Sequence, residues 1–316
     1  MDYYRVGNSE LRISQFSMGA DQASRIVTND EKKAFCEAVD RAIELGVNLF
    51  DTAESYGNGK SEEILGEIVK GKRDKVYIAS KVSRENWRYD DVLKACEGSL
   101  KRLGTDYLDI YYIHIPSKEM KIEETMKGLG KLKQDGKIRS IGLSNFSKEQ
   151  IEEAINWAPV DILQSGYNPL WRKLEKDIIP FCIKNNISVS PYSPLAHGLL
   201  SGKFRPDFKL DQLDFRKRII LFRSEWFPKC SEIIEKMQVI AKKYEKTLAQ
   251  FTLAWIAMQS GITSVLFGGR NKEQIEENLG AGDIVISEDD NINVRNISDS
   301  LLHELPDWSS IWFEGF

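Results

Sequence analysis

Leu108-Asp109-Ile110-Tyr111-Tyr112-Ile113-His114 is a short run dominated by β-branched and aromatic residues that ends on an ionisable side chain. Such a run, too short for a helix, reads as a buried strand. The same form recurs on either side of it. Val47-Asn48-Leu49-Phe50-Asp51 and Val76-Tyr77-Ile78-Ala79-Ser80-Lys81 come before it. Ile138-Arg139-Ser140-Ile141-Gly142-Leu143, Val160-Asp161-Ile162-Leu163-Gln164, Ile187-Ser188-Val189-Ser190-Pro191-Tyr192 and Thr263-Ser264-Val265-Leu266-Phe267 follow. With Ile13 to Met18 near the start, there are eight candidate strands.

Amphipathic segments lie between them. Phe35, Ala38, Val39, Ala42, Ile43 and Leu45 fall on one helical face that stops at Gly46. Ser61 ahead of Glu62 and Glu63 reads as an N-cap. Ser147 with Gln150 and Thr247 with Gln250 fit the capping box. Run ends at Asp51, Lys81, His114, Leu143, Gln164 and Tyr192 lie 21 to 33 residues apart, the length of a strand plus a crossover helix. Right-handed crossovers repeated in this way give a parallel sheet. Eight such units favour an α/β fold of the closed (β/α)8 TIM barrel type. A doubly wound sheet would need a phosphate-binding glycine loop after the first strand. The 75 residues from Tyr192 to Phe267 include Phe204 to Phe227, rich in Arg, Asp and aromatics, expected as a long loop after strand 7 on the strands' C-terminal side. A C-terminal helix ending at Leu302 and an aromatic tail (Trp308, Trp312, Phe313, Phe316) complete one expected domain, residues 1–316.

Composition narrows the function classes. Among 316 residues, 44 Lys and Arg face 48 Asp and Glu, a net charge of −4, and 41% are apolar. No basic cluster points to nucleic acid or anionic lipid, and no window suits a signal peptide or a membrane span. Cys36, Cys96, Cys182 and Cys230 are too scattered for a disulfide or zinc framework. A cytoplasmic protein is expected. His114, His197 and His303 show no metal spacing, so no metal is expected. Gly59-Lys60-Ser61 imitates the end of a P-loop, but Glu54 stands where that motif requires glycine.

In a barrel of this type the strands' C-terminal ends face the active site. Asp51, Lys81 and His114 close three consecutive runs, and the loop after the first supplies Tyr56. Each alone reads more readily as an ordinary ion pair or core residue. Together they form a proton-donating device: Lys81 lowers the Tyr56 phenol's pKa from about 10, Asp51 holds Lys81, and His114 orients a substrate carbonyl.

Asp51-Thr52-Ala53-Glu54-Ser55-Tyr56-Gly57-Asn58-Gly59-Lys60-Ser61-Glu62-Glu63, Ser80-Lys81-Val82 and Tyr112-Ile113-His114 resemble the three signature regions of the aldo/keto reductases. Gly142 to Phe146, Gln164 with Tyr167-Asn168, Pro191 to Leu195 and Gly268 to Asn278 resemble further motifs of that family, in order along almost the whole chain. The resemblance implies a barrel that reduces aldehydes and ketones with NADPH through a catalytic tetrad at Asp51, Tyr56, Lys81 and His114. It implies that Ser144, Asn145 and Gln164 hold the nicotinamide carboxamide and that Tyr192 stacks on the nicotinamide. Ser193, Leu195, Gly198, Leu200 and Lys203 would wrap the pyrophosphate. Gly268, Gly269, Arg270, Gln274, Glu277 and Asn278 would take the adenosine and its 2′-phosphate, with Arg270 as phosphate partner. Phe267 and Gln274 depart from the family's common Pro and Arg, which makes NADH the alternative cofactor. Trp87 and Trp226 are expected as aromatic walls of the substrate pocket. The partner expected is a small carbonyl compound, with the chain working as a monomer or weak homo-oligomer. The rival readings are a regulatory subunit that binds cofactor with little turnover, as potassium-channel β subunits do, and a barrel enzyme such as a sugar isomerase.

Overall fold

A computed structural model describes residues 1–204, 208, 210, 211 and 213–306. The aromatic tail, Trp308 onward, lies outside the described residues. Among the described residues there are ten strands and ten α-helices. β1 (Tyr3–Arg5) and β2 (Arg12–Ser14) form an antiparallel hairpin. The barrel strands are β3 (Phe16–Gly19), β4 (Leu49–Asp51), β5 (Tyr77–Val82), β6 (Leu108–Ile113), β7 (Ile138–Ser144), β8 (Ile162–Gly166), β9 (Ser188–Tyr192) and β10 (Val265–Gly268). They pair in parallel in the order β10-β3-β4-β5-β6-β7-β8-β9. A parallel bridge between Val189 and Ile262 brings β9 back to β10, with the Thr263 N–H donating to the Val189 carbonyl at 2.8 Å.

The helices are α1 (Asn29–Glu44), α2 (Lys60–Val69), α3 (Tyr89–Leu103), α4 (Ile122–Gln134), α5 (Lys148–Ala154), α6 (Ile178–Lys184), α7 (Phe227–Lys243), α8 (Leu248–Ala257), α9 (Lys272–Leu279) and α10 (Glu288–Glu304). α1 buries the expected face, Phe35, Ala38, Val39 and Ala42. Capping boxes close on Ser147 and Thr247 as expected, and on Thr28 with Glu31 as well.

Two expectations change. The run Ile13–Met18 is not one strand: the chain steps out of the hairpin at Ser14 and into the barrel at Phe16. The backbone of Gln15, between them, bonds on one side to Asp2 and on the other to Val265. Ser61 is not an N-cap. Gly59 takes that place, in the left-handed region at φ +91°, and the Ser61 hydroxyl turns inward to donate to the Ala20 carbonyl at 2.7 Å.

The alternation of side chains along each strand sorts the core into two layers. Phe50, Ile78, Tyr111, Ile113, Ile141, Leu143 and Leu163 point outward into the layer beneath the helices. Leu49, Ala79, Ile110, Tyr112 and Ile162 point inward and pack on Val6, Leu11 and Ile13 of the hairpin, which plugs the barrel floor. Two residues further along each of those strands, the same inward face reaches the mouth at Asp51, Lys81, His114 and Gln164. Strand period 2 therefore aims the strand-end polar residues at one point.

Candidate active site

Lys81 is fully buried, and its ammonium is the hub of the mouth. It is paired with Asp51 Oδ1, donates to the Thr52 carbonyl at 2.8 Å, and reaches the Tyr56 hydroxyl at 3.3 Å. The second oxygen of Asp51 accepts from Gln164 Nε2 at 2.9 Å. Half-buried His114 packs edge-on against the Tyr56 ring, centroids 5.5 Å apart, and its Nδ1 lies 3.2 Å from the Ser55 hydroxyl. The four residues singled out in the sequence are thus brought together.

Their electrostatics follow from burial and from one another. Burial alone would pull the Lys81 ammonium down, but the Asp51 carboxylate and the Tyr56 oxygen hold it above its usual value, charged. Burial raises the Tyr56 phenol, and the opposing pull of Lys81 does not cancel that, so the net shift is upward rather than downward as the sequence suggested. The phenol therefore keeps its proton at neutral pH. Burial and the Lys81 charge push His114 down to about 3, so its ring is neutral.

Beyond the four, an open cleft of about 1090 Å³ runs over the strand ends. Ser144, Asn145, Gln164 and Tyr192 line one stretch of it, where Asn145 Nδ2 donates to the His114 carbonyl at 3.1 Å and the Tyr192 hydroxyl donates to Asn145 Oδ1 at 2.7 Å. Ser193, Leu195, Gly198 and Lys203 line the next stretch. Gly268, Gly269, Arg270, Gln274, Glu277 and Asn278 line the far end. A Cβ placed on Gly268 would meet nothing within 4 Å. Arg270 Nε bonds Gln22 Oε1 at 3.1 Å, and its backbone N–H donates to Gln274 Oε1 at 3.0 Å.

Three expected residues sit elsewhere. Leu200 is fully buried in the core, and its N–H is already given to the Leu195 carbonyl at 3.1 Å. Trp87 does not border the cleft: its ring is covered by Arg88 at 4.7 Å and its carbonyl accepts from the Thr125 hydroxyl. Trp226, at the start of α7, is buried with Phe222 and Phe227, and Lys229 lies over its ring. Among the described residues, the Phe and Tyr side chains that do border the cleft, besides Tyr56 and Tyr192, are Phe204, Phe215 and Phe267.

The sequence reading also passed over Gln22, Arg25, His197, Arg216 and Arg218, which line the cleft. Gln22 and Arg25 follow the first barrel strand. The strand-end rule finds them once that strand is ended at Gly19. Arg216 and Arg218 lie in the aperiodic stretch after β9, where nothing in the pattern marks which side chain turns inward.

The sequence profile of the aldo/keto reductase family matches residues 17–299, nearly the whole chain. The chain belongs to the aldo/keto reductase family. It is 31% identical to the NADH-specific methylglyoxal reductase of Escherichia coli over 321 aligned positions, covering 94% of this chain and 98% of that protein. Among solved structures, a glycerol dehydrogenase from Gluconobacter oxydans superposes with a TM-score of 0.89 at 28% identity, covering 96% of this chain and 97% of that one. An aldo/keto reductase from Klebsiella pneumoniae in complex with NADPH superposes with a TM-score of 0.77 at 26% identity, covering 99% and 98%. Family membership agrees with the (β/α)8 barrel observed. Among the described residues, no helix is long and apolar enough to cross a membrane.

Proposed function

We propose that this aldo/keto reductase reduces an aldehyde or ketone to the alcohol with a nicotinamide dinucleotide, NADPH in preference to NADH. The observation that carries the proposal is the buried Lys81 ammonium bound to Asp51 and 3.3 Å from the Tyr56 hydroxyl, beside a cleft of about 1090 Å³ over the strand ends.

The residues present fit such a cofactor. At 1090 Å³ the cleft exceeds the range of about 300–1,000 Å³ usual for drug-sized ligands, and polar and charged side chains are set among apolar ones in its lining. The open face at Gly268 lets a ligand approach the backbone closely. Lys203, Arg216, Arg218 and Arg270 supply cations where phosphates would lie. Arg270 supports NADPH as the preferred form because it projects at the far end, where a 2′-phosphate would be gripped.

When bound, the dinucleotide supplies a hydride from C4 of its nicotinamide to the carbonyl carbon. Tyr56 Oη donates the proton to the carbonyl oxygen. Lys81 stabilises the phenolate that Tyr56 becomes, and Asp51 keeps Lys81 charged and in place. Neutral His114 offers one N–H to the same carbonyl oxygen and orients it. Ser144, Asn145 and Gln164 would hold the carboxamide, Tyr192 would pack on the nicotinamide ring, and Ser193, Leu195, Gly198 and Lys203 would wrap the pyrophosphate. Every one of these groups comes from a single chain, which supports a monomer or weak oligomer. Four cysteines without a disulfide support a reducing, cytoplasmic setting.

The test is a spectrophotometric assay of NADPH and NADH oxidation with a panel of aldehydes, ketones and sugar aldehydes. Turnover with NADPH exceeding that with NADH is the expected result. Tight dinucleotide binding with no turnover on any carbonyl would overturn the reductase reading.

A further inference from the structure

The loop that carries Tyr56 has little backbone to hold it. Between β4 and α2 the chain passes through Gly57, Asn58 and Gly59, all at positive φ, and from Ser55 onward the turns are closed by local bonds such as Tyr56 N–H to the Ala53 carbonyl at 3.1 Å. Beyond the backbone bonds of Thr52 and Glu54 to the Ala79 and Lys81 carbonyls, its attachment to the neighbouring strand comes from a side chain. Glu54 Oε1 accepts from the backbone N–H of Ser83 at 2.6 Å and from Asn86 Nδ2 at 2.9 Å. The Glu54 N–H points to the Lys81 carbonyl at 3.4 Å. Ser83 follows Lys81 by two residues, and Glu54 precedes Tyr56 by two.

The far end of the loop is fixed separately. Arg102 on α3 donates to buried Glu62 at 2.6 Å, and Glu62 also accepts from the Ser80 hydroxyl at 2.5 Å. Arg102 Nη2 also lies 3.9 Å from Glu54 Oε2. The Arg102 stem crosses Gly59 so closely that a Cβ there would lie 2.4 Å from it.

We propose that Glu54 is a positioning residue: its carboxylate ties the Tyr56 loop to the segment leaving Lys81, and so sets the distance between the Tyr56 hydroxyl and the Lys81 ammonium. The proposal rests on the reading of Tyr56 as proton donor. A carboxylate suits the task because it can accept two donors on one oxygen from a neighbouring loop and keep the other for Arg102. An error of about 1 Å in such a contact can cost about 10²-fold in turnover. Glu54 touches neither substrate nor cofactor in this account, so its loss should fall on kcat and leave cofactor affinity alone.

The experiment compares Glu54→Ala and Glu54→Gln with the wild-type chain in three readouts: kcat, NADPH Kd by fluorescence, and the titration of Tyr56. The last is read by NMR of ζ-¹³C-tyrosine protein and assigned with Tyr56→Phe. Glu54→Ala should lower kcat about 10- to 100-fold with Kd changed less than about twofold. Glu54→Gln keeps an acceptor for Ser83 and Asn86 and should stay within about threefold of wild type. In Glu54→Ala the Tyr56 titration should move down toward the ordinary phenol, because burial is the larger influence on it and a loosened loop admits water. The proposal is overturned if Glu54→Ala keeps kcat and the Tyr56 titration of wild type, or if Glu54→Gln loses as much as Glu54→Ala. It is equally overturned if Kd rises in step with the loss of kcat. Should Glu54→Ala not fold, Asn86→Ala removes one of the two donors, and a smaller drop in kcat with an intact fold is then the expected result. An unchanged kcat would overturn the proposal. If the wild-type chain shows no turnover, the reductase reading fails on that result, while the Tyr56 titration still decides whether Glu54 positions the loop.

Discussion

Replacing Lys81 by Met should destabilise the protein far more than the loss of one surface ion pair would, and a second substitution should repair most of the damage. Lys81 is 0% exposed and Asp51 only 2%. Methionine matches the lysine stem but cannot answer the carboxylate, so Asp51 is left charged in the barrel with Gln164 Nε2 as its remaining partner at 2.9 Å. Removing one member of a buried pair costs about 3–5 kcal/mol, against about 0–1 kcal/mol for an exposed pair. In the double variant Lys81→Met with Asp51→Asn, no charge remains to be buried. What persists is the Thr52 carbonyl that Lys81 now satisfies at 2.8 Å, a loss of about 1–3 kcal/mol. In the double-mutant cycle the double variant should therefore be about 2 kcal/mol more stable than Lys81→Met alone. Denaturation in urea, followed by circular dichroism, reads all four corners. Turnover should be lost in all three variants, so recovery of stability without recovery of activity is the expected signature. A single variant as stable as wild type, or a double variant no more stable than the single, would refute the claim that Asp51 is held in place as a charge by Lys81.

The titration shifts give a second prediction. Reduction should keep its rate up to about pH 10 and fall above it, because the Tyr56 phenol sits above its ordinary value near 10. His114 is neutral when folded down to about 3 but takes a proton near 6.5 when unfolded. Its contribution to stability is therefore full above about pH 6.5 and is lost as the pH falls toward 3. Thermal melts of wild type and His114→Gln from pH 7 to 4.5 should show a steeper fall in wild type; parallel curves would contradict this. Gly142→Ala should destabilise by about 1–3 kcal/mol, because its Cβ would lie 2.2 Å from the Tyr112 ring. Adding Tyr112→Leu should recover part of that loss, as chemical denaturation would show. Arg270→Ala should weaken NADPH binding about 10- to 100-fold, the worth of a charge-assisted hydrogen bond, while NADH changes less than about threefold. Equal losses for both in a fluorescence titration would remove Arg270 from the 2′-phosphate.

The barrel was legible in the sequence because each of its signals is local. Short apolar runs at crossover spacing give the parallel sheet, and the residue two places beyond each inward core position, Asp51 beyond Leu49 or Lys81 beyond Ala79, follows from strand geometry alone. What the sequence did not show depends on contacts between distant segments. Ser61 carries the right side chain for an N-cap, yet Ala20, 41 positions away, claims its hydroxyl. The run Ile13–Met18 alternates like one strand, but its halves belong to the floor hairpin and to the barrel. Trp87 and Trp226, expected as pocket walls, and Leu200, expected at the pyrophosphate, lie in the packed layers instead, since a large apolar side chain beside a loop is as easily covered by a helix as left at a rim. Arg216 and Arg218 reach the cleft from a stretch with no period to read.

The most direct test of the account is the rate of NADPH oxidation by wild type and Tyr56→Phe on the same carbonyl substrate, with NADPH affinity measured in parallel. The phenyl ring keeps the packing against His114 and removes only the hydroxyl, so turnover should fall by at least about 10²-fold while Kd stays within about twofold. A Tyr56→Phe variant that reduces the substrate at near wild-type rate would contradict the assignment of Tyr56 as the proton donor.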